Sequence, residues 1–412
     1  MKLKDYEDTH FNIARHAGDA CHRECGSRRH HHLDQPNSWK NMNMKELLKT
    51  VAAAWGLLVI LPAHGQNWTP TSAPSNNWTA VASSADGVRL AALNGSGGIY
   101  TSADSGATWT SNNAPAVPWT SVASSSSGNK LVAAASVIYT NSGTTWAAAF
   151  SVFQKGLTCV ASSADGSKLV AGASLVFPPL YIYVSANSGA SWTPAFNASS
   201  PWRAVASSSD GSNLVAAAAT TIYSSTNAGA NWTLEAGAPN LPWNSVASSA
   251  DGSRIVAAGT GGIIISTNSG STWQAKAVPA VNWTSVASSA DGSRLAAVSN
   301  DGLIMTSADS GANWTTNDAP PGPWTSVASS SDGSKLVAVM DGGGIYVLQP
   351  ASAPVLNIVH SGSAVVLSWG NPTFSLQAAP AVNGVYTNVT GATSPYTNTI
   401  GNPQKFFRLQ GN

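Results

Sequence analysis

The sequence predicts an all-β fold: a seven-bladed β-propeller, its last blade closed by an N-terminal strand, followed by a small C-terminal β-sandwich-like module. Three observations carry this expectation. The phrase Trp119-Thr120-Ser121-Val122-Ala123-Ser124-Ser125 returns at Trp78, Trp202, Trp243, Trp283 and Trp324, with a seventh copy at Leu157 that has lost its tryptophan. The valines of the copies, Val81 to Val327, are 41, 38, 45, 41, 40 and 41 residues apart, and a fixed period near 40 marks a repeat architecture. Each period divides into four short alternating runs separated by turn residues, and four short strands per unit is one propeller blade.

The first unit shows the division. Trp78 to Ser84 alternates and stops at Ala85-Asp86-Gly87; Arg89 to Leu93 is a second run, bounded by Asn94-Gly95-Ser96-Gly97-Gly98. Ile99 to Ser102 and Thr108 to Ser111 follow, separated by Ala103-Asp104-Ser105-Gly106. Gly supplies the positive φ that such turns need, and Asp or Asn hydrogen-bonds its own backbone. Only 9% of the chain is charged, which suits blades stacked face to face, with Ala, Ser and Val on both faces. The seventh unit, Trp324 to Leu348, lacks a fourth strand. Gln66-Asn67-Trp68-Thr69-Pro70 precedes Trp78 by the spacing that separates Trp109 from Trp119, so the N-terminal run is expected to supply that strand.

Residues 1–65 read as an upstream extension and a secretory signal. Lys45 and Lys49 precede the apolar run Val51 to Leu61, and Pro62-Ala63-His64-Gly65 ends it. The run is shorter than the roughly 20 residues that span a bilayer, and Gln66 in place of Cys speaks against a lipid anchor. Export to the periplasm, cell surface or medium is expected, with no membrane span in the mature chain. Cys21, Cys25 and His30-His31-His32 fall in the removed part and fit no zinc spacing. The propeller is assigned to 66–350 and the C-terminal module to 351–412, where Val365 to Trp369, Phe374 to Gln377, Tyr386 to Val389 and Lys405 to Leu409 alternate.

From residue 66 onward there are 11 Lys and Arg against 12 Asp and Glu. A net charge of −1 implies no basic face, so nucleic acid and anionic membrane are not expected partners. One cysteine, Cys159, and one histidine, His360, remain. No internal disulfide is possible, Ser–His and Cys–His catalysis is excluded from the repeats, and no cofactor or metal is expected. A monomer is expected.

The turn Ser102-Ala103-Asp104-Ser105-Gly106-Ala107-Thr108-Trp109 recurs at Ser185 to Trp192, Ser225 to Trp232, Ser266 to Trp273 and Ser307 to Trp314, with a short form ending at Trp146. It resembles the Asp-box, or BNR, repeat of sialidase-like propellers, over essentially all of 66–350. The resemblance implies a structural role for the acidic or amide position (Asp104, Asn141, Asn187, Asn227, Asn268 and Asp309) and for Trp109, Trp146, Trp192, Trp232, Trp273 and Trp314, each Trp packing over its hairpin. Sialidases of this family bind a carboxylate with three arginines and use a Tyr–Glu pair. Here the propeller arginines are Arg89, Arg203, Arg254 and Arg294, and Glu235 is the one glutamate after residue 65, so that machinery does not carry over. The resemblance extends to the propeller assembly factors of photosystem II, described as using an arginine-rich surface; the arginines here are spread around the ring. The C-terminal module resembles a fibronectin type III module and the C-terminal modules of secreted proteins in bacteria of the Verrucomicrobia type.

Two function classes follow. The first is a non-catalytic binding or scaffold propeller that takes a protein or glycan on its loop face, formed by the second-to-third-strand loops and the connections between blades. The second is a glycan-cleaving enzyme using two carboxylates as acid and base; Asp301, Asp318 and Asp341 are the aspartates on that face. The expected binding patch is Phe150, Phe153, Leu175, Phe177, Leu180 and Phe196, all in loops around blade three. They either form an exposed apolar patch or fill the space left where Leu157 replaces Trp.

Overall fold

The structure is a computed structural model. It describes residues 68–411 except 142–144, 152–155, 175–179, 199, 350–355, 370–373 and 400–404. The signal segment, with Cys21, Cys25 and His30 to His32, lies outside the described residues, as do Phe153, Leu175 and Phe177.

The described residues form seven four-stranded antiparallel sheets and two three-stranded ones. In the first sheet, Trp78–Ser83, Leu90–Asn94, Gly98–Ser102 and Thr110–Asn112 pair in chain order. The next five sheets, which begin at Ser121, Gly156, Trp202, Trp243 and Trp283, repeat that order. The seventh holds Trp324–Ser329, Leu336–Met340 and Ile345–Leu348, and its fourth strand is Thr69–Pro70 from the start of the chain, with Thr69 opposite Val347. Trp68, 5% exposed, packs on Trp324 with ring centroids 6.3 Å apart.

Burial explains the composition. The second strand of most sheets is buried along nearly its whole length, as in Leu214–Ala218 and Ile255–Gly259. Such a strand has a neighbouring sheet on each face and cannot alternate apolar with polar. At its centre sits Ala92, Ala133, Ala171, Ala216, Ala257, Ala297 or Ala338, each fully buried and each opposite the valine of the repeated phrase. Six of the seven phrases place their Trp on the same buried footing; at the seventh, Leu157 is fully buried in its stead.

The remaining letters of the phrase tie each sheet to the next. The residue after the tryptophan, or after Leu157 in the third sheet, donates to the carbonyl of the next sheet's first Trp: Thr79 to Trp119 at 3.2 Å, Thr158 to Trp202 at 2.7 Å, Asn244 to Trp283 at 2.9 Å, Thr284 to Trp324 at 2.7 Å. Thr325 makes this bond back to Trp78, at 2.8 Å. One residue further on, Ser121, Ser245, Ser285 and Ser326 accept from the valine amides of the following sheets, Val160, Val286, Val327 and Val81. At the turn after the first strand, main-chain amides form a third tier. Ala85 donates to Ser126, Ser126 to Ala164, Ala164 to Ser209, Ser209 to Ala250, Ala250 to Ala290, Ala290 to Ser331, and Ser331 to Ala85, all at 2.7–2.8 Å. Replacing Ser326 with Ala leaves the Val81 amide without its partner, and a lost buried hydrogen bond of this kind costs about 1–3 kcal/mol. Urea denaturation checks it; an unchanged midpoint removes the serine tier from the stability argument.

Two sequence expectations change here. Phe150, Leu180 and Phe196 are not in loops: Phe150 and Phe196 lie in the outer strands Trp146–Ser151 and Thr193–Ala198, opposite Ile138 and Ile182, and Leu180 is the buried first residue of Leu180–Ser185. Those outer strands have 6 residues each, whereas Thr233–Leu234, Gln274–Ala275 and Thr315–Thr316 have 2. A bulge in each pairing, between Ile138 and Tyr139 and between Ile182 and Tyr183, carries the strand on. The C-terminal part has two strands the sequence pattern missed, Asn357–Ser361 and Tyr396–Thr399, which flank Ala364–Ser368. Phe374–Ala379, Thr387–Asn388 and Phe406–Gly411 form the other three-stranded sheet. Leu367, Trp369 and Leu376 form a small buried core shared by the two three-stranded sheets.

Candidate functional site

The antiparallel order puts two kinds of turn on one face of the seven sheets: the first-to-second-strand turns and the third-to-fourth-strand turns. The first kind is built from Ser-x-Asp-Gly. In the first sheet the Ser84 hydroxyl donates to Asp86 Oδ1 at 2.6 Å, the Val88 amide donates to the same oxygen at 2.9 Å, and the Arg89 amide donates to Ser84 Oγ at 2.9 Å. Asp165, Asp210, Asp251, Asp291 and Asp332 repeat it. Serine hydroxyls and backbone amides hold these carboxyls below the usual range, to about 2 for Asp251, Asp291 and Asp332.

A basic or amide side chain follows each turn, at Arg89, Lys130, Lys168, Asn213, Arg254, Arg294 and Lys335, and lies against the turn glycine of the next sheet. Lys335 covers Gly87, and its Nζ donates to the Asp86 carbonyl at 2.9 Å. Arg89, Arg254 and Arg294, spread around the ring in sequence, therefore belong to one circle that Lys130, Lys168, Lys335 and Asn213 complete. Arg203 is outside it, being the residue after a first-strand Trp.

The third-to-fourth-strand turn also repeats. Ser102 donates to Asp104 at 2.7 Å, Gly106 donates its amide to Ser102 at 2.9 Å, Thr108 donates its amide to Asp104 at 2.9 Å, and the Trp109 indole donates to the Gly106 carbonyl at 3.2 Å. Asn187, Asn227, Asn268 and Asp309 accept the corresponding amides. Two successive residues have positive φ, Ser105 at 59° and Gly106 at 90°, and the pattern returns at Ser188, Ala228, Ser269 and Ser310. A non-glycine residue in that region is uncommon, and the hydrogen bonds of the turn hold it there. Trp192 is buried, and Trp109, Trp146, Trp232, Trp273 and Trp314 are partly buried. Asn141 is a correction. Strand register places it opposite Leu131, where Leu90 faces Ser102, so it stands in the place of the turn serine and not of Asp104. The sequence between Tyr139 and Asn141 is two residues shorter than between Tyr100 and Asp104.

On the opposite face, Asp301, Asp318 and Asp341 are all exposed. The Asn282 amide donates to Asp301 Oδ2 at 3.0 Å, and the Asp341 amide donates to the Pro323 carbonyl at 3.0 Å. The connection that carries Asp318 thus runs between the two turns, and the three aspartates share one sector. Asp301 does structural work, holding the Asn282 amide.

The expected aromatic patch is partly visible. Phe150 is half-buried, 5.0 Å from Tyr183 and stacked on Trp192 at 5.6 Å. It packs against the cluster that contains Leu157. Phe196 is half-buried among Trp202, Tyr223 and Trp232. Leu180 is 3% exposed. Cys159 is buried, its thiol pushed up to about 12 by desolvation, as suits a small core residue. Among the described residues no group of His, Cys, Asp and Glu is arranged to hold a metal ion.

No family model matches the chain, and no curated protein matches it. Among solved structures the chain is similar to "YCF48 bound to D1 peptide", with a TM-score of 0.54 and 14% identity, over 69% of this chain and 97% of that one. At that identity the likeness shows the fold, and together with the four-stranded sheets it defines a β-propeller.

Proposed function

We propose that the chain is an exported, monomeric, seven-bladed propeller that works by binding a protein partner on its loop face, without catalysis. The observation that carries this reading is the local departure from the repeat in sheets two and three. There the outer strands lengthen to 6 residues, and Phe150 and Phe196 leave part of each ring accessible in neighbouring seams. Aromatic side chains that are half-buried and held by packing make good anchors, since little rotamer freedom is left to lose on binding. The similar solved structure is of a propeller bound to a peptide, which supports a protein partner for this one. The patch runs over Phe150, Phe153, Leu175, Phe177 and Phe196, with Leu180, 3% exposed, left out of it as a core residue, and the C-terminal β-sandwich-like module is an appendage to the ring.

Affinity capture from the envelope of the producing cell tests the reading. The chain with Phe153→Ser and Phe177→Ser is expected to lose at least about tenfold in capture of a defined protein partner, the size of one lost anchor. Full retention of that partner removes the patch. Asp318→Asn with Asp341→Asn is expected to leave capture unchanged. Polysaccharide hydrolysis by the unaltered chain that this double variant abolishes would overturn the non-catalytic reading.

A further inference from the structure

The circle of basic side chains on the turn face has two breaks in its charge pattern, one of which leaves a cation facing a turn without an aspartate. In sheets three, four, six and seven, and again where the seventh meets the first, the incoming Lys or Arg reaches a turn that carries an aspartate: Asp165, Asp210, Asp291, Asp332 and Asp86. The Ser163 and Ser208 hydroxyls chiefly hold the Asp165 and Asp210 carboxyls low, and Lys130 and Lys168 add the smallest share. Where sheet four meets sheet five the order is reversed: Asn213 takes the basic place and donates to the Asp251 carbonyl at 2.7 Å. Where sheet one meets sheet two, the basic residue is Arg89 and the turn is Ser125-Ser126-Ser127-Gly128. Ser127 stands in the aspartate's place, 3.3 Å from Ser125 Oγ. Arg89 is exposed, and among the described residues its guanidinium has no hydrogen-bond or ion-pair partner.

A cleft of about 240 Å³ opens at that seam, lined by Arg89, Thr101, Thr108, Thr110, Asn112 and Asn129 among others. At the seams between sheets seven and one and between sheets four and five, the corresponding spaces are about 10 Å³. The seam between sheets three and four also opens, to about 200 Å³, but there the turn that Lys168 meets carries Asp210, and Leu169, Val184 and Leu214 line the wall. Only the first seam, among these four, joins an open polar cleft to a cation without its carboxylate.

The geometry points to this cleft as a binding site for a carboxylate-bearing sugar, a uronic acid residue of an acidic glycan. Arg89 supplies a planar, two-pronged donor matched to a carboxylate. Thr101 and Asn112, already paired at 3.1 Å, and Thr108, which donates to Asp104, hold fixed oxygens that can accept from sugar hydroxyls. Thr110 and Asn129 add groups that both donate and accept. A wall of hydroxyls and amides suits a polyol better than an extended peptide, which would seek an unpaired strand edge or an apolar pocket. The site lies on the turn face, apart from the loop face, and stands or falls independently of the protein-binding reading.

Titration of the full chain with D-glucuronate and D-galacturonate, followed by calorimetry or NMR, tests it, with D-glucose, D-galactose and a glutamate-rich peptide as comparisons. Saturable uronate binding is expected, with neutral sugars weaker by at least about tenfold, the worth of one charge-assisted hydrogen bond. Ser127→Asp restores the aspartate that the other turns carry and is expected to abolish binding with the melting temperature unchanged or raised. Arg89→Gln is expected to give the same loss. Absence of saturable uronate binding overturns the proposal, as does binding that survives Ser127→Asp, or equal or tighter binding of the acidic peptide.

Discussion

Trp68→Ala is expected to lower the melting temperature by about 6–10 °C, since truncating a buried Trp costs about 3–5 kcal/mol and each kcal/mol moves a domain of this size by about 2 °C. Trp68 is the buried head of the only strand the seventh sheet takes from elsewhere in the chain. Its ring lies on Trp324, and behind it Thr69 and Pro70 pair with Val347 and Tyr346. The Thr71 amide donates to the Ile345 carbonyl at 2.9 Å, and the Asn76 amide to the Gly343 carbonyl at 3.0 Å. Deleting 68–73 removes the pairing along with the ring and is expected to cost more than Trp68→Ala. Without it Ile345–Leu348 becomes a bare sheet edge, an open template for pairing with another chain, so association should accompany the loss of stability. A deletion variant that melts where the parent does, by calorimetry, would show that the first strand is not what holds the last sheet.

Acid is expected to undo the ring in one pH window. Asp86, Asp104, Asp165, Asp210, Asp251, Asp291, Asp309 and Asp332 are all held below the ordinary carboxyl value. For Asp104 the Thr108 hydroxyl is the main cause and for Asp309 the Asn313 amide, each bringing the group to about 2. A carboxyl whose folded value is depressed adds stability that is fully present above the unfolded value, about 3.9, and that disappears as pH falls through the folded value. These groups are open to solvent, so each adds little. Their number and their shared window make the effect visible. The urea midpoint should be level from about pH 5 to 7 and fall between about pH 4 and pH 2, where protonation strips acceptors from eight turns. A midpoint that stays level down to about pH 2.5 would mean that the turn carboxylates contribute nothing to the fold.

How far the sequence discloses this molecule depends on where each residue's partner lies. Trp78, Val81 and Gly87 recur at fixed places in each unit, and the pattern within the unit declares them. The partners of Thr79 and Ser326 lie in the next sheet, at Trp119 and Val81; periodicity shows that these residues recur but not what they bond. Phe150 and Phe196 lie outside the repeating strand phrases, and a bulge that prolongs a strand has no local signature. The basic circle does not show in the arginines alone; aligned on the turn glycine, Arg89, Lys130, Lys168, Arg254, Arg294 and Lys335 occupy one place. The two missed C-terminal strands have their own reason. Asn357–Ser361 is exposed along its length, and Tyr396–Thr399 is mostly Thr and Asn, so neither shows an apolar stripe.

The circle of turn amides, each donating to the carbonyl ahead and the last donating to the first, has no terminal member. In a linear array of repeats the end units have one neighbour each, fray first, and let the array melt piecemeal. A loop of seven equal links offers no such starting point. Its weakest place is fixed by the covalent chain, at the seventh sheet, where the two halves come from opposite ends of the repeats. Rupture there frees both neighbours at once, so loss of one sheet becomes loss of all. Pulled or heated, the ring should give way at that seam in a single step.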